Sequence, residues 1–117
     1  MDFSLTDEQK MFQQSVRSFA LKHLQAGAIE RAHAEQFPKE LKKLFADQGL
    51  MGINIPEDQG GLGGTLMDAV IAIEQIALVC PRSADIVQEG NFGAVRTLAQ
   101  YATPSQRERF LKPVLEG

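Results

Sequence analysis

Cysteine is nearly absent from this sequence, since Cys80 is the single one among 117 residues. One cysteine excludes an internal disulfide framework and a cysteine-based zinc site. Tryptophan is missing and tyrosine occurs once. Neither sign of charge predominates, because 12 Lys and Arg against 15 Asp and Glu leave a net charge of -3. Such a chain offers no basic footprint for nucleic acid or for an anionic membrane.

Long hydrophobic runs are missing as well, and nothing approaches the roughly 20 apolar residues that span a bilayer. The first residues, MDFSLTDE, lack the basic stretch of a signal peptide, and their acids argue against a transit peptide. These absences predict a soluble, cytoplasmic protein with neither nucleic acid nor membrane as a partner.

The patterns that are present follow the helical period of 3.6 residues, without an alternating strand pattern. The first helix is predicted over residues 6–26, because Thr6 and Gln9 form a capping box and Phe12, Val16 and Phe19 follow on one face. Residues 27–37 are predicted to be a connection with weak helical content, and residues 50–56 an extended crossing segment. Further helices are predicted from Pro38 to Gly49, from Thr65 to Cys80 and from about Ser83 to Tyr101. A last helix is predicted to begin at Thr103, to meet Pro113 and to stop at the chain end. Thr65 with Asp68 and Thr103 with Gln106 are predicted to form two further capping boxes. The fold class is all-α, an orthogonal or up-down bundle of about five helices.

The helix from Thr65 to Cys80 is apolar nearly all round, which is typical of a helix in the middle of a bundle. Glu74 lies within it, and a buried carboxylate must be paired, neutralised or reach the surface. A paired core glutamate is the favoured interpretation. An acid or base role would require a second group directed at the same point, and the sequence shows none.

Residues 60–64, GGLGG, precede that helix and invite comparison with a phosphate-binding loop. The segment lacks the lysine and hydroxyl residue of GxxxxGK[ST], and it does not match GxGxxG after a strand. A plain connector is therefore favoured. His23 and His33 have no spaced metal-ligand partners, so no metal site is expected, and no catalytic residue is assigned.

The segment Glu89-Gly90-Asn91 has two interpretations. Glu89 belongs to a solvated helix face near Arg82 and Arg96, or else Gly90 and Gly93 open a groove for a flexible apolar ligand. Interior glycines each cost roughly 1 kcal/mol relative to alanine, so they need such a reason. The pattern alone favours the solvated face.

Five segments, in one collinear order, together resemble a known family. They are FSLTDEQK (3–10), FPKEL (37–41), QGLMGINIPEDQGGLGG (48–64), IEQIA (73–77) and ATPSQRERFLKPVLEG (102–117). The whole chain is similar to the N-terminal α-helical domain of the acyl-CoA dehydrogenase family.

The resemblance implies a flavoprotein of fatty acid metabolism that uses FAD to remove the α and β hydrogens of an acyl-CoA thioester. It implies electron transfer to an electron-transferring flavoprotein and a homo-oligomer in the complete enzyme. It also implies a middle β-domain and a C-terminal helical domain, both absent from residues 1–117, and a catalytic glutamate in the latter. This chain alone is expected to be inactive and not to retain FAD, and its cofactor-binding residues are not assigned.

Carried over residue by residue, the resemblance assigns four residues to the wall of the acyl-chain pocket: Val87, Glu89, Gly90 and Asn91. Two alternatives remain. One is a freestanding helical interaction module without the chemistry, and the other is a domain of a related flavin oxidase or monooxygenase. An exposed apolar patch is expected of a domain that packs on further domains, whereas a freestanding module would have covered it.

Overall fold

The computed structural model describes all 117 residues and contains helices and turns but no strand. The all-α prediction is confirmed. Six helices are followed by a C-terminal helical segment. Their bounds are α1 Asp7–His23, α2 Ala28–His33, α3 Leu41–Asp47, α4 Leu66–Val79, α5 Pro81–Glu89, α6 Ala94–Tyr101, α7 Pro104–Gln106, a π-helical turn Arg107–Leu111 and α8 Lys112–Leu115.

The first helix begins as its sequence predicts. The Thr6 hydroxyl accepts from the N–H of Gln9 at 3.1 Å, and the Gln9 carboxamide accepts from the N–H of Thr6 at 2.9 Å. The helix ends at His23, before the predicted residue 26, because Arg31 from α2 donates to the carbonyl oxygens of Leu24 and Ala26. These bonds satisfy carbonyls that a helix end leaves without partners.

The core lies between α1, α4 and α5, and α4 contacts both of the others. Its largest fully buried side chains include Leu24, Phe45, Ile76 and Ile86. The molecule measures 41 × 39 × 23 Å. The short dimension is about two helix diameters, so the helices form two layers.

The helix predicted from Ser83 to Tyr101 is wrong in its continuity, because the structure divides it into α5 and α6. Pro81 does more than end α4: it occupies the first turn of α5, where its missing N–H costs nothing. The break falls at residues 90–93, and Gly93 begins α6 with a φ of 61°, which favours glycine. Gly90 and Gly93 are therefore not interior helix residues.

Residues 104–115 form one continuous segment, here called the C-terminal helix. Thr103 and Gln106 make the predicted capping box, and Pro104 occupies the first turn. The helix passes Pro113 and ends at Leu115, near the chain end, as the sequence predicts. Proline removes a helical donor and crowds the preceding turn, and the wider π-helical turn directly before α8 accommodates it.

Two further boundaries differ from the sequence prediction. α3 begins at Leu41, because residues 38–40 form a turn rather than the first turn of the helix. Residues 50–56 are not extended but fold into turns around Gly52, whose φ is 69°. The segment is nevertheless buried, and we call residues 50–56 the crossing segment. No helix of the structure has the length and apolar character needed to cross a bilayer.

Candidate functional site

The four residues predicted for the pocket wall lie together at the C-terminal end of α5. Val87 and Asn91 are completely buried, Gly90 is buried, and Glu89 is exposed. The break before α6 turns the chain here, which leaves Glu89 and Gly90 at the edge of the fold while Val87 and Asn91 face the core.

Asn91 joins this end of α5 to the crossing segment. Its carboxamide nitrogen donates to the carbonyl oxygens of Val87, at 2.7 Å, and Leu50, at 2.8 Å. Its oxygen accepts from the N–H of Ile53 at 2.6 Å. A buried carboxamide with its polar atoms satisfied in this way holds the surrounding backbone in one geometry. Asn91 therefore supports the wall from behind and presents no free polar atom to a ligand.

A small cavity of about 290 Å³ lies beside Glu89 and Gly90. Its remaining walls come from the crossing segment, from α3 and α5, and from the chain end. These lining residues are Lys42, Met51, Ile86, Pro113, Val114 and Gly117. Lys42 and Glu89 contribute residues of opposite charge to the lining, while Met51, Ile86 and Val114 supply apolar surface. The volume is close to the lower limit for small-ligand sites.

A larger cavity of about 530 Å³ lies between α3, the glycine-rich loop and the C-terminal helix. Its apolar lining includes Met51, Leu62, Leu111 and Leu115, and charged side chains of the C-terminal helix form part of its rim. Met51 lines both cavities.

Lys112 and Glu108 form an ion pair at the rim of the larger cavity, with Nζ and Oε1 2.7 Å apart. The hydrogen bond from Lys112 to Glu108 raises the pKa of the ammonium group above its ordinary value, and the charge of Glu116 adds to this effect. The pair is well exposed, so it contributes little to stability.

The glycine-rich loop does not offer its backbone to an anion. The N–H groups of residues 61–64 donate to carbonyl oxygens within residues 52–56, at 2.7–3.0 Å. The carboxylate of Asp68 accepts from the N–H and hydroxyl of Thr65, both at 2.8 Å, and so occupies the N-terminus of α4. A phosphate group would need the donors that these contacts use. The loop is a connector, as the sequence predicted.

Gly61 shows why this loop is rich in glycine. A Cβ atom at Gly61 would overlap the carbonyl oxygen and Cβ of Ile55. The loop therefore packs directly on the backbone of the crossing segment, and only a residue without a side chain permits that distance.

Glu74 is exposed, so the prediction of a buried, paired glutamate is wrong. It lies on the side of α4 that faces away from the core, where four apolar residues are exposed by between 47% and 63%: Leu66, Met67, Val70 and Leu78. We call these four residues the outer face of α4. Helix α4 is apolar nearly all round, as predicted, but only one side of it is buried within this chain.

His23 is exposed, with its ring centroid 4.9 Å from that of Phe19. No three His, Cys, Asp or Glu side chains converge as a metal site would require. Cys80 is buried, and its sulfur accepts from the Ser83 hydroxyl at 3.0 Å and from Arg31 Nε at 3.4 Å. Cys80 lines neither of the two cavities described above.

Sequence reasoning missed two residues that shape this region. The sequence pattern identifies Met51 only as part of an apolar segment and Arg31 only as part of a segment with weak helical content. Both act through contacts with residues distant in the chain, 39 positions to Gly90 for Met51 and 49 to Cys80 for Arg31. No local pattern signals such contacts.

The sequence profile described as "Acyl-CoA dehydrogenase, N-terminal domain" matches residues 6–117. Among curated proteins, a 3-sulfinopropanoyl-CoA desulfinase of Paraburkholderia xenovorans is 35% identical over 115 residues, which are 98% of this chain and 30% of the relative. A short-chain-specific acyl-CoA dehydrogenase of Clostridium acetobutylicum is 32% identical over 117 residues, 100% of this chain and 31% of the relative. The chain thus spans less than a third of the length of these relatives.

A solved structure is also similar to this chain. It is described as "Electron transferring flavoprotein of Acidaminococcus fermentans: Towards a mechanism of flavin-based electron bifurcation". The matched chain superposes with a TM-score of 0.85 at 27% identity, over 100% of this chain and 31% of that one.

Proposed function

Because this chain belongs to the acyl-CoA dehydrogenase family and forms its N-terminal domain, we propose that it serves an FAD-dependent protein that removes the α and β hydrogens of an acyl-CoA thioester. In that protein the domain forms part of the wall of the acyl-chain pocket and covers one side of the flavin site. The observation that carries the proposal is the small cavity beside Glu89 and Gly90, at the end of α5.

The cavity suits the end of an acyl chain. Its lining includes the apolar side chains of Met51, Ile86 and Val114 beside the charged residues Lys42 and Glu89. Gly90, directly after α5, adds no side chain, and the space beside it holds the flexible side chain of Met51. Glu89 and Gly90 thus contact the ligand in this proposal, while Val87 and Asn91 hold the wall from the core side.

The residues of this chain do not fit a complete FAD site. A pyrophosphate needs backbone donors or cations, and the glycine-rich loop uses the N–H groups of residues 61–64 internally. Redox chemistry therefore depends on a cofactor held largely by other parts of the protein. The carboxylates that line the two cavities are exposed, and Glu108 is paired with Lys112, so the proposal places the catalytic base elsewhere in the protein.

The outer face of α4 supports packing against a further part of the protein. A freestanding module would leave four large apolar side chains in water, and such patches are typical of interfaces. This favours the enzyme domain over the interaction module. A related flavin oxidase or monooxygenase remains the alternative, since it would use the same outer face and the same cavity.

The partners of the complete protein are proposed with the function. They are an acyl-CoA as the substrate, an electron-transferring flavoprotein as the electron acceptor, and further copies of the same subunit. The similar structure from Acidaminococcus fermentans, described as an electron-transferring flavoprotein, supports the acceptor.

The function is tested with the protein that carries this domain, by mixing it anaerobically with straight-chain acyl-CoAs and recording the visible flavin spectrum. Bleaching by at least one acyl-CoA is expected, with an α,β-unsaturated thioester as the product. Reoxidation by oxygen without an acceptor protein would favour the oxidase alternative. Failure of every acyl-CoA to bleach the flavin would contradict the proposal.

Whether this domain binds FAD by itself is tested with the 117-residue chain. We expect no visible absorption after incubation with FAD and desalting, because the chain provides no pyrophosphate site. Stoichiometric retention of flavin would contradict the proposed cover role and assign the cofactor site to this domain.

A further inference from the structure

Met51 is the residue that the two cavities share. It contributes to the wall of the small cavity beside Gly90 and to that of the larger cavity beneath the C-terminal helix. Its side chain is buried, with 6% of its surface exposed. The two cavities share no other lining residue, so Met51 is the one side chain that borders both of them.

The backbone on both sides of Met51 is fixed. The carbonyl oxygen of Leu50 accepts from the carboxamide of Asn91 at 2.8 Å, and the N–H of Gly52 donates to the carbonyl oxygen of Gly90 at 2.9 Å. Movement at this position is therefore confined to the side chain. Methionine has three rotatable bonds and no branch, so it adapts its shape at a small cost.

The thioether of Met51 lies directly on Gly90. A Cβ atom at Gly90 would overlap the methyl carbon of Met51 and lie 2.5 Å from its Sδ. Met51 thus fills the space that a side chain at position 90 would take, in the wall of the small cavity.

We propose that the Met51 side chain is the movable wall that sets how long an acyl chain the site accepts. The proposal rests on the proposed function. With Met51 against Gly90, the small cavity holds a short apolar end. A longer straight chain pushes the thioether aside and continues into the larger cavity, where Leu62, Leu111 and Leu115 provide apolar surface. Of the charged residues that also line it, Glu108 and Lys112 are exposed and paired with each other, and Arg107 donates to the carbonyl oxygen of Ala99.

Kinetics of the protein that carries this domain test the proposal. Met51→Ala removes the wall, and we expect kcat/KM to rise for long acyl-CoAs relative to short ones, by about fourfold for each methylene newly buried. Met51→Leu conserves volume and apolar character, so its profile should remain close to that of the wild type. An unchanged ratio of long to short substrates in active Met51→Ala enzyme would overturn the inference.

Methyl NMR of the 117-residue chain provides a second measurement that needs no activity. Met1, Met11 and Met67 are exposed, so Met51 gives the one buried methionine methyl signal, and Met51→Leu assigns it by removing it. Sodium octanoate and sodium dodecanoate serve as probes. The signal should shift with dodecanoate and shift less with octanoate. Gly90→Ala should also shift it without any probe.

The two measurements separate the inference from the proposed function. If the Met51 signal depends on alkyl length but the protein does not react with acyl-CoAs, the proposed function is wrong and the role of Met51 as a movable wall is kept. A Met51 signal that does not move with dodecanoate, while the Met67 signal does, would overturn the wall and place apolar binding on the outer face of α4.

Discussion

The N–H of Ile53 donates to the carboxamide oxygen of Asn91 at 2.6 Å, although the two residues are 38 positions apart. This bond joins the crossing segment to the break between α5 and α6. Asn54 extends the connection: with its carboxamide oriented to satisfy both ends, it donates to the Asn91 carbonyl oxygen at 2.9 Å and accepts from Arg96 at 2.8 Å. One polar network thus positions both the turn at residues 90–93 and the wall of the small cavity.

Asn91→Ala should destabilise the chain by about 2–5 kcal/mol, because it leaves the Ile53 N–H and the Leu50 carbonyl buried without a partner. Urea unfolding measures the loss. Gln88→Ala is the matched control, since Gln88 is exposed on the same helix. Equal unfolding midpoints for both variants would contradict a structural role of the Asn91 network.

Gly90→Leu should impair long acyl-CoAs more than short ones in the protein that carries this domain, because the new side chain fills the small cavity and displaces Met51. The ratio of kcat/KM for the two substrate lengths is the measurement. Ala94→Leu, at an exposed position of α6, is the control. If both substrates lose activity to the same extent, the assignment of the cavity to the acyl chain fails.

Ile76→Ala should cost about 2–5 kcal/mol of unfolding free energy, because Ile76 is completely buried in α4. Ile73, one turn earlier, is only partly buried and should cost clearly less when it is changed to alanine. Denaturant titration of the two variants compares them. The opposite order would show that another face of α4 forms the core.

Val70→Glu, Leu78→Glu and the double variant should leave the unfolding free energy of the 117-residue chain within about 0.5 kcal/mol of the wild type, because surface substitutions have small effects. In the protein that carries this domain, the same changes should lower flavin retention or assembly, since they place charges in a proposed interface. Retention and subunit mass, measured by absorbance and light scattering, check this. An intact, fully loaded double variant would exclude the outer face of α4 from the interface.

Cys80 should give stability a measurable pH dependence. Burial raises the pKa of its thiol, and hydrogen bonds from Ser83 and Arg31 lower it by more, so the pKa in the folded chain lies below its ordinary value. The unfolded chain then holds more protons in the window between the two pKa values, and stability increases as pH rises through it. The contribution is complete above the ordinary thiol pKa of about 8.5 and is lost as pH falls through the folded pKa.

Unfolding of the wild type and of Cys80→Ser, followed from neutral to mildly alkaline pH, isolates this effect. The difference in their unfolding free energies should grow with pH in favour of the wild type, by at most about 1.4 kcal/mol per pH unit. A difference that shrinks with pH would show that burial dominates and keeps the thiol protonated.

The parts of the fold that depend on neighbouring residues could be predicted from the sequence. All three capping boxes, at Thr6, Thr65 and Thr103, form as expected because cap and partner are three residues apart. The division of the predicted helix at Gly93 could not be predicted, since it depends on the contacts of Asn91 with the crossing segment. The exposure of Glu74 could not be predicted for a related reason. When a helix is apolar nearly all round, its sequence does not indicate which side packs against other parts of the same chain.

The candidate site was predicted in the same uneven way. The region around Glu89 and Gly90 does border a cavity. Its depth, however, is set by Met51, and its rear support comes from hydrogen bonds that cross about 40 positions of sequence. Such pairs are defined by packing alone. The role of the four residues towards an acyl chain stays a prediction until the kinetic tests are made.

The loop at residues 60–64 has a composition that is usually associated with mobility, yet its amides are bonded and its backbone lies against the crossing segment. We therefore expect its amide hydrogens to exchange with solvent as slowly as those of a packed helix. It should also reject inserted residues, unlike most surface loops, because one added residue would move the donors of residues 61–64 out of register with their acceptors. For protein engineering, this glycine-rich loop is therefore expected to be a rigid segment and a poor insertion site for a tag.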